Sequence, residues 1–133
     1  MKNVISKIGI NESIGVQNEF EKNRNIYTAV VDGKSIQSWI TFLDKMIEKF
    51  KLPMKEHRNV NAYLDWMRDL EWLESEGYVL FIENYADFMK ENLEMKKNII
   101  DDFENYILPF WDSEVVQVMT GGKIKMFNVY LVE

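Results

Sequence analysis

Residues 26–33 read IYTAVVDG and mark the point at which a polar N-terminal stretch becomes strongly apolar. β-Branched and aromatic side chains fill most of the first six positions, and such side chains favour the extended backbone of a strand. Asp32 and Gly33 form a turn dipeptide that ends the run. Because apolar residues follow one another without alternation, the sequence predicts a strand over residues 26–31 that is buried on both faces.

Two helical patterns follow this strand. Apolar residues in 36–50 recur at spacings of three and four, which predicts an amphipathic helix that begins after a Ser35 N-cap and ends near Lys51, before Pro53. A second helix is predicted after an Asn59 N-cap. Its apolar stripe contains Tyr63, Trp66, Met67, Leu70 and Leu73, and its opposite face carries Asn61, Asp65, Arg68, Asp69 and Trp72.

The second half of the chain predicts further strands around one long helical stretch. Residues 78–82 form a nearly continuous apolar run typical of a central strand, and the helical stretch after it is interrupted near Asn92 and ends at Pro109. Residues 115–119 and 124–132 predict an edge hairpin around Gly121 and Gly122, because paired glycines adopt the positive φ angles of a tight turn.

The order of these segments predicts the fold class. Strands separated by helices favour an α/β domain with a mainly parallel sheet and right-handed crossovers. The apolar runs at 26–31, 78–82 and 127–132 should be neighbouring strands with helices on both sides. Residues 1–25 are polar and weakly periodic. We predict that they form an N-terminal extension of a single domain over residues 26–133.

Composition excludes several classes of function. The chain has no cysteine, which rules out disulfides and thiol chemistry, and it has no apolar run long enough for a signal peptide or a membrane span. We therefore expect a cytoplasmic protein. Residues 65–114 hold fourteen acidic and four basic residues, a net charge of −10, against +4 for the remainder. This acidic half disfavours nucleic-acid binding and either attracts a basic protein or only solvates helix faces.

No pattern indicates catalysis, a metal or a cofactor. His57 is the single histidine and lies in a polar loop without a sequence signal for an orienting partner. Gly121 and Gly122 lack the lysine and hydroxyl residues of a phosphate loop. Asp101, Asp102 and Glu104 are neighbours on a predicted helix, where their carboxylates point apart. The sequence predicts no enzyme activity.

The polar face of the second helix is the candidate binding surface. Asp65 and Asp69 stand four residues apart, and Trp72 follows about one turn later. An exposed tryptophan beside acids is typical of a protein-binding face. Two alternatives stay open at this point, that Trp72 packs on a neighbouring loop and that the acids are only hydrated.

The spacing of these segments resembles the barstar family of intracellular inhibitors of the ribonuclease barnase. The resemblance is carried by the strand and turn at 29–33, by Leu52-Pro53 nineteen residues later, and by Asn59, Ala62 and Asp65 in the second helix. It implies a three-layer domain with a sheet of about three strands. It also implies a protein of immunity or antitoxin type that blocks the active site of a cognate ribonuclease.

The resemblance implies roles for single residues as well. Helix acids of the family take the place of RNA phosphates, Asp65 matches the central inhibitory aspartate, and Asn59 matches a loop asparagine. The predicted partner-binding residues are Asn59, Asn61, Asp65, Arg68, Asp69 and Trp72. The chain departs from the family pattern at Lys55, Glu56, Asn61, Leu64 and Arg68. The alternative is a non-inhibitory interaction or homodimerisation domain with a non-nuclease partner, which a homodimer burying Trp72 would favour.

Overall fold

The structure is a computed structural model that describes residues 2–56, 58–118 and 121–133. Its β-strands and α-helices are β1 (Ile5–Ile8), α1 (Ile10–Lys22), β2 (Ile26–Asp32), α2 (Trp39–Phe50), α3 (Val60–Met67), β3 (Gly77–Glu83), α4 (Leu93–Asp102), α5 (Val115–Val118) and β4 (Met126–Val132). Short 3-10 turns occur at Gly33–Ser35, Glu71–Leu73 and Tyr85–Asp87, and π-helical turns at Phe103–Ile107 and Phe110–Glu114.

One parallel sheet organises the molecule. Its strand order is β1-β4-β3-β2, and all three pairings are parallel. The register places Ile26 beside Gly77 and Gly77 beside Met126. In β3 every residue except Glu83 is buried. These pairings confirm the α/β class and place the three apolar runs in neighbouring strands. The expected burial on both faces holds for β3 but not for the edge strand β2, in which only Ala29 and Val31 are buried.

Helices cover the two faces of the sheet and create two unequal apolar layers. Helix α1 places Val16 and Phe20 against Val79 and Phe81 on one face. The larger core lies on the other face, where α2, α3 and the segment from α4 to α5 pack. None of the described helices is long and apolar enough to cross a membrane.

The predicted edge hairpin is wrong, because its first arm is helical. Val115–Val118 forms α5, which continues the helical path from α4 past Pro109. Ile107, Trp111 and Val115 are buried at a spacing of four, a helical pattern that the proline concealed. Pro109 has ordinary helical angles and stands between two π-helical turns. A π-helical turn accommodates an extra residue where a proline would interrupt α-helical hydrogen bonding.

The fourth strand comes instead from the N-terminal segment, for which we predict an extension. Strand β1 pairs with β4 along Ile5–Ile8, at one edge of the sheet. Asn3 secures this segment, since its side-chain amide donates to the backbone oxygens of Leu108 at 3.2 Å and Lys125 at 3.1 Å. Residues 5–22 thus lie on the same sheet as the remainder of the chain.

Two helix boundaries differ from the expected ones. Helix α2 begins after Ser38, whose hydroxyl accepts from the Thr41 N–H, and not after Ser35. Helix α3 ends at Met67, although its apolar pattern predicts a continuation to residue 73. The backbone of Leu70 is left-handed, with φ of 54°, while its side chain is fully buried. Burial of Leu70 in the core therefore holds the chain in a turn that local preference disfavours.

Candidate functional site

Helix α3 is short and is held in place by its buried side chains, and its exposed face is called the platform below. The Asn59 side chain caps it by accepting a hydrogen bond from the Ala62 N–H at 2.9 Å, as expected from the sequence. Tyr63, Leu64 and Met67 are buried and attach the helix to the main core. The polar face is thus held in one orientation by packing on the opposite face.

Asp65 and Arg68 are brought together on this polar face. The Asp65 side chain is 76% exposed, and its Oδ1 lies 3.1 Å from Nη2 of Arg68. Arg68 also donates from Nε to the Leu64 backbone oxygen at 3.1 Å, so its guanidinium is positioned by the end of α3. Asn61 is exposed on the same helix. The platform therefore presents one carboxylate held beside one guanidinium, and not a group of acids.

Asp69 and Trp72 do not continue this face, because α3 has ended before them. The Asp69 carboxylate accepts from the Glu71 N–H at 3.2 Å within the following turn. Trp72, expected to be exposed, is half-buried, and its indole N–H donates to the Phe50 backbone oxygen at 2.9 Å. Its ring meets Trp66 edge-on, with 5.6 Å between the centroids. Trp72 thus secures the end of α2.

The loop before α3 forms the second part of the site. Met54 is buried and anchors the loop, while Lys55 and Glu56 are exposed. Arg58 forms an ion pair with Asp44 of α2 and fixes the loop from the other side. The expectation for His57 lies outside the described residues.

An apolar groove separates this loop from α3, and the sequence patterns do not indicate it. It has a volume of about 550 Å³ and is lined by Pro53, Lys55, Glu56, Ala62 and Trp66. Trp66 was expected on the core-facing stripe, and its half-buried ring both packs on the core and lines the groove.

Acids of the segment that follows β3 lie near α3. Tyr63 is fully buried, which raises its pKa well above the usual value, and the charge of Asp102 raises it further. Burial also raises the pKa of the Asp102 carboxyl, with a smaller contribution from Asp101. The end of α4 therefore adds negative charge close to the platform.

A second cavity is lined by residues outside α3. This cavity of about 640 Å³ lies between β1 and the helical segment around Pro109, and charges of both signs line it, including Lys2, Lys7, Glu104 and Asp112. In the described part of the chain, no cluster of three or more histidine or acidic side chains could hold a metal ion. The loop and helix α3 remain the best-defined candidate for binding.

A protein-family model matches the part of the chain that holds these elements. The model described as Barstar (barnase inhibitor) matches residues 26–118, which include the loop, α3 and the acidic segment. A search of curated proteins found no match.

A solved structure from another protein shares the fold. The chain is similar to the Aeropyrum pernix ORC2 protein, solved in ADPNP–ADP complexes, with a TM-score of 0.53 and 13% identity. The likeness covers 98% of this chain and 34% of that one, so this chain spans about a third of its length. At this identity the likeness concerns the fold alone. The turn after β1, around Gly9, also lacks the second glycine, lysine and hydroxyl residue of a phosphate loop.

Proposed function

Because the chain belongs to the barstar (barnase inhibitor) family, whose members are inhibitors and not enzymes, we propose that it binds and inhibits a cognate ribonuclease. The loop 54–58 and helix α3 block the active site of that enzyme. The chain acts in the cytoplasm as an immunity or antitoxin-type protein, and its lack of cysteine suits that reducing compartment.

The observation that carries this proposal is the Asp65 carboxylate. It projects from a helix that is fixed by buried side chains, and it is 76% exposed. The family resemblance assigns this position to the central inhibitory aspartate. A carboxylate on a rigid element needs little ordering on binding, so the entropy cost of the contact is small.

The energy of the contact comes from charge pairing in a site with little water. A ribonuclease holds fixed cationic groups where RNA phosphates bind, and a carboxylate can replace a phosphate there. Removing that carboxylate leaves the cations buried and unpaired, which costs about 2–5 kcal/mol in interfaces of this kind. The barnase–barstar complex is itself among the measured interfaces from which this magnitude is known.

The net charge of −10 over residues 65–114 has a different role. Exposed acids at a distance attract a basic enzyme and accelerate association, and salt screens this effect. Truncation of Asp101, on α4, should therefore slow association and weaken its salt dependence, with little change in dissociation.

The test compares Asp65→Ala with Asp101→Ala, which removes the same charge outside α3. Titration calorimetry against a barnase-type ribonuclease should show an affinity loss of about 30- to 5000-fold for Asp65→Ala, the equivalent of about 2–5 kcal/mol. Asn61→Ala and Arg68→Ala complete the series over the predicted contact residues Asn59, Asn61, Asp65, Arg68, Asp69 and Trp72.

Circular dichroism should show that Asp65→Ala remains folded, since the side chain is exposed. An unchanged affinity for this variant would place the inhibitory site elsewhere on the chain. Absence of binding by the wild-type protein would refute inhibition of this class of ribonuclease.

A further inference from the structure

The groove next to α3 is open and mostly apolar. Pro53 is exposed on one wall, and Ala62 and the half-buried Trp66 form the other. Apolar surface that stays in contact with water in the free protein gains free energy when another apolar group covers it. The groove is large enough for one or two side chains, and it lies on the same short helix as Asp65.

The charges around this groove are mixed in sign. Lys55 and Glu56 line the loop side of the groove, Asp65 lies on α3 next to Trp66 in sequence, and Arg68 directly follows the end of α3. A uniformly cationic surface would complement the two acids and oppose Lys55 and Arg68. The complementary partner surface therefore carries at least one acid among its bases.

The hydrogen bonds of Arg68 indicate the position of that acid on the partner surface. In the free protein its Nη2 lies 3.1 Å from Asp65, and its Nε is already bonded to the Leu64 backbone oxygen at 3.1 Å. When Asp65 pairs with a cationic group of the enzyme, the Arg68 guanidinium loses its carboxylate partner. The interface that forms at the same time excludes water from the guanidinium. An unpaired buried charge is strongly unfavourable, and a guanidinium has enough donors to hold a second carboxylate.

Resting on the proposed function, we propose that the groove seats one apolar side chain of the target ribonuclease, and that a carboxylate beside that side chain pairs with Arg68. The apolar side chain is the anchor that enters a pocket, as in the energetic centres of protein interfaces. Arg68 supplies selectivity, because a ribonuclease without that carboxylate leaves its charge unpaired.

The first test uses small probes and does not depend on the enzyme. Acetyl-Asp-Phe-amide has the proposed acid and apolar side chain, acetyl-Lys-Phe-amide reverses the charge, and acetyl-Asp-Gly-amide lacks the apolar group. NMR titration with the first peptide should shift the indole N–H resonance of Trp66 and the amide of Ala62, with saturation at millimolar concentration. The other two peptides should bind at least about 10-fold more weakly. Equal binding of all three, or no shift at either residue, would overturn the proposal.

Matched variants locate the effect. Ala62→Glu places a charged side chain in the groove while keeping the fold, since a glutamate at the third helical position favours the Asn59 cap. Ala86→Glu adds the same side chain at an exposed position outside the groove. Ala62→Glu should abolish the peptide shifts and Ala86→Glu should retain them. Arg68→Gln should make acetyl-Asp-Phe-amide and acetyl-Lys-Phe-amide bind alike.

A second copy of this chain is the competing occupant. If sedimentation shows a wild-type dimer that Ala62→Glu dissociates and Ala86→Glu does not, the groove serves self-association and the proposal is wrong. The outcomes also separate the two proposals. Selective peptide binding combined with an unchanged affinity of Asp65→Ala for the ribonuclease would support the groove and refute the inhibitory role of Asp65.

Discussion

Replacing Tyr63 by phenylalanine should stabilise the protein, although it removes a polar group from the centre of the core. The Tyr63 hydroxyl is fully buried and has no hydrogen-bond partner among the described residues. Burial of an unsatisfied hydroxyl costs about 1–3 kcal/mol. The ring itself is well packed, at 5.5 Å from Trp39 and 5.7 Å from Phe42 between centroids, and phenylalanine keeps these contacts. We expect a gain of about 1–2 kcal/mol.

Urea and thermal unfolding measure this gain. A chain of 133 residues has an unfolding entropy of about 0.28 kcal/mol/K, so a gain of about 1.5 kcal/mol raises Tm by about 5 °C. Tyr106→Phe is the matched control, because Tyr106 is 51% exposed, and it should change stability by less than about 0.5 kcal/mol. Tyr27→Phe should have the opposite sign, since the Tyr27 hydroxyl donates to the Lys49 backbone oxygen. A loss of stability in Tyr63→Phe would refute the reasoning and would mean that a bound water satisfies the hydroxyl.

Four other variants test further parts of the fold. Burial raises the pKa of Tyr78 to about 12, so the unfolded chain releases the phenol proton near pH 10 while the folded chain keeps it. The free energy of unfolding should therefore fall from pH 10 to pH 12. Tyr78→Phe should make that fall shallower in urea titrations. Trp72→Phe removes the hydrogen bond to Phe50 and should cost about 1 kcal/mol in the same assay, and an unchanged stability would contradict the role assigned to the indole N–H. Gly33→Ala would place a Cβ 2.7 Å from two backbone oxygens and should lower the free energy of unfolding by more than about 2 kcal/mol. Gly15→Ala has open space in α1 and should stabilise the protein by about 0.5–1 kcal/mol. Similar melting temperatures for the two variants would refute the close approach at Gly33.

The sheet could be predicted because its central strand β3 is buried on both faces. Continuous apolar runs such as residues 78–82 have few alternatives when they are too short for a buried helix. Strand β1 escaped prediction because Ser6 and Lys7 interrupt it and because an edge strand needs little apolar surface. The hairpin was wrong because Pro109 concealed a helical spacing that π-helical turns preserve.

The exposure of the candidate residues could be predicted only within α3, which ends at Met67. Asp65 is exposed because its phase is opposite to Tyr63 and Met67, which the sequence identifies as core residues. The prediction failed for Trp72 because it assumed that the helix continues through Leu70. The groove could not be found from sequence, because it depends on the distance between a loop and a helix that no local pattern determines.

The position of β4 has a consequence for synthesis of the protein. It is the last of the four strands to leave the ribosome, yet it lies inside the sheet between β1 and β3. The hydrogen bond from the Val4 N–H to the Asn128 side chain spans 124 residues, so β1 stays unpaired until β4 has been synthesised. Nascent chains with such an unpaired strand and exposed apolar surface are targets of chaperones and of aggregation. Completion of the sheet must therefore wait until β4 has been synthesised, and a chain that stops before Met126 would leave β1 without its neighbour.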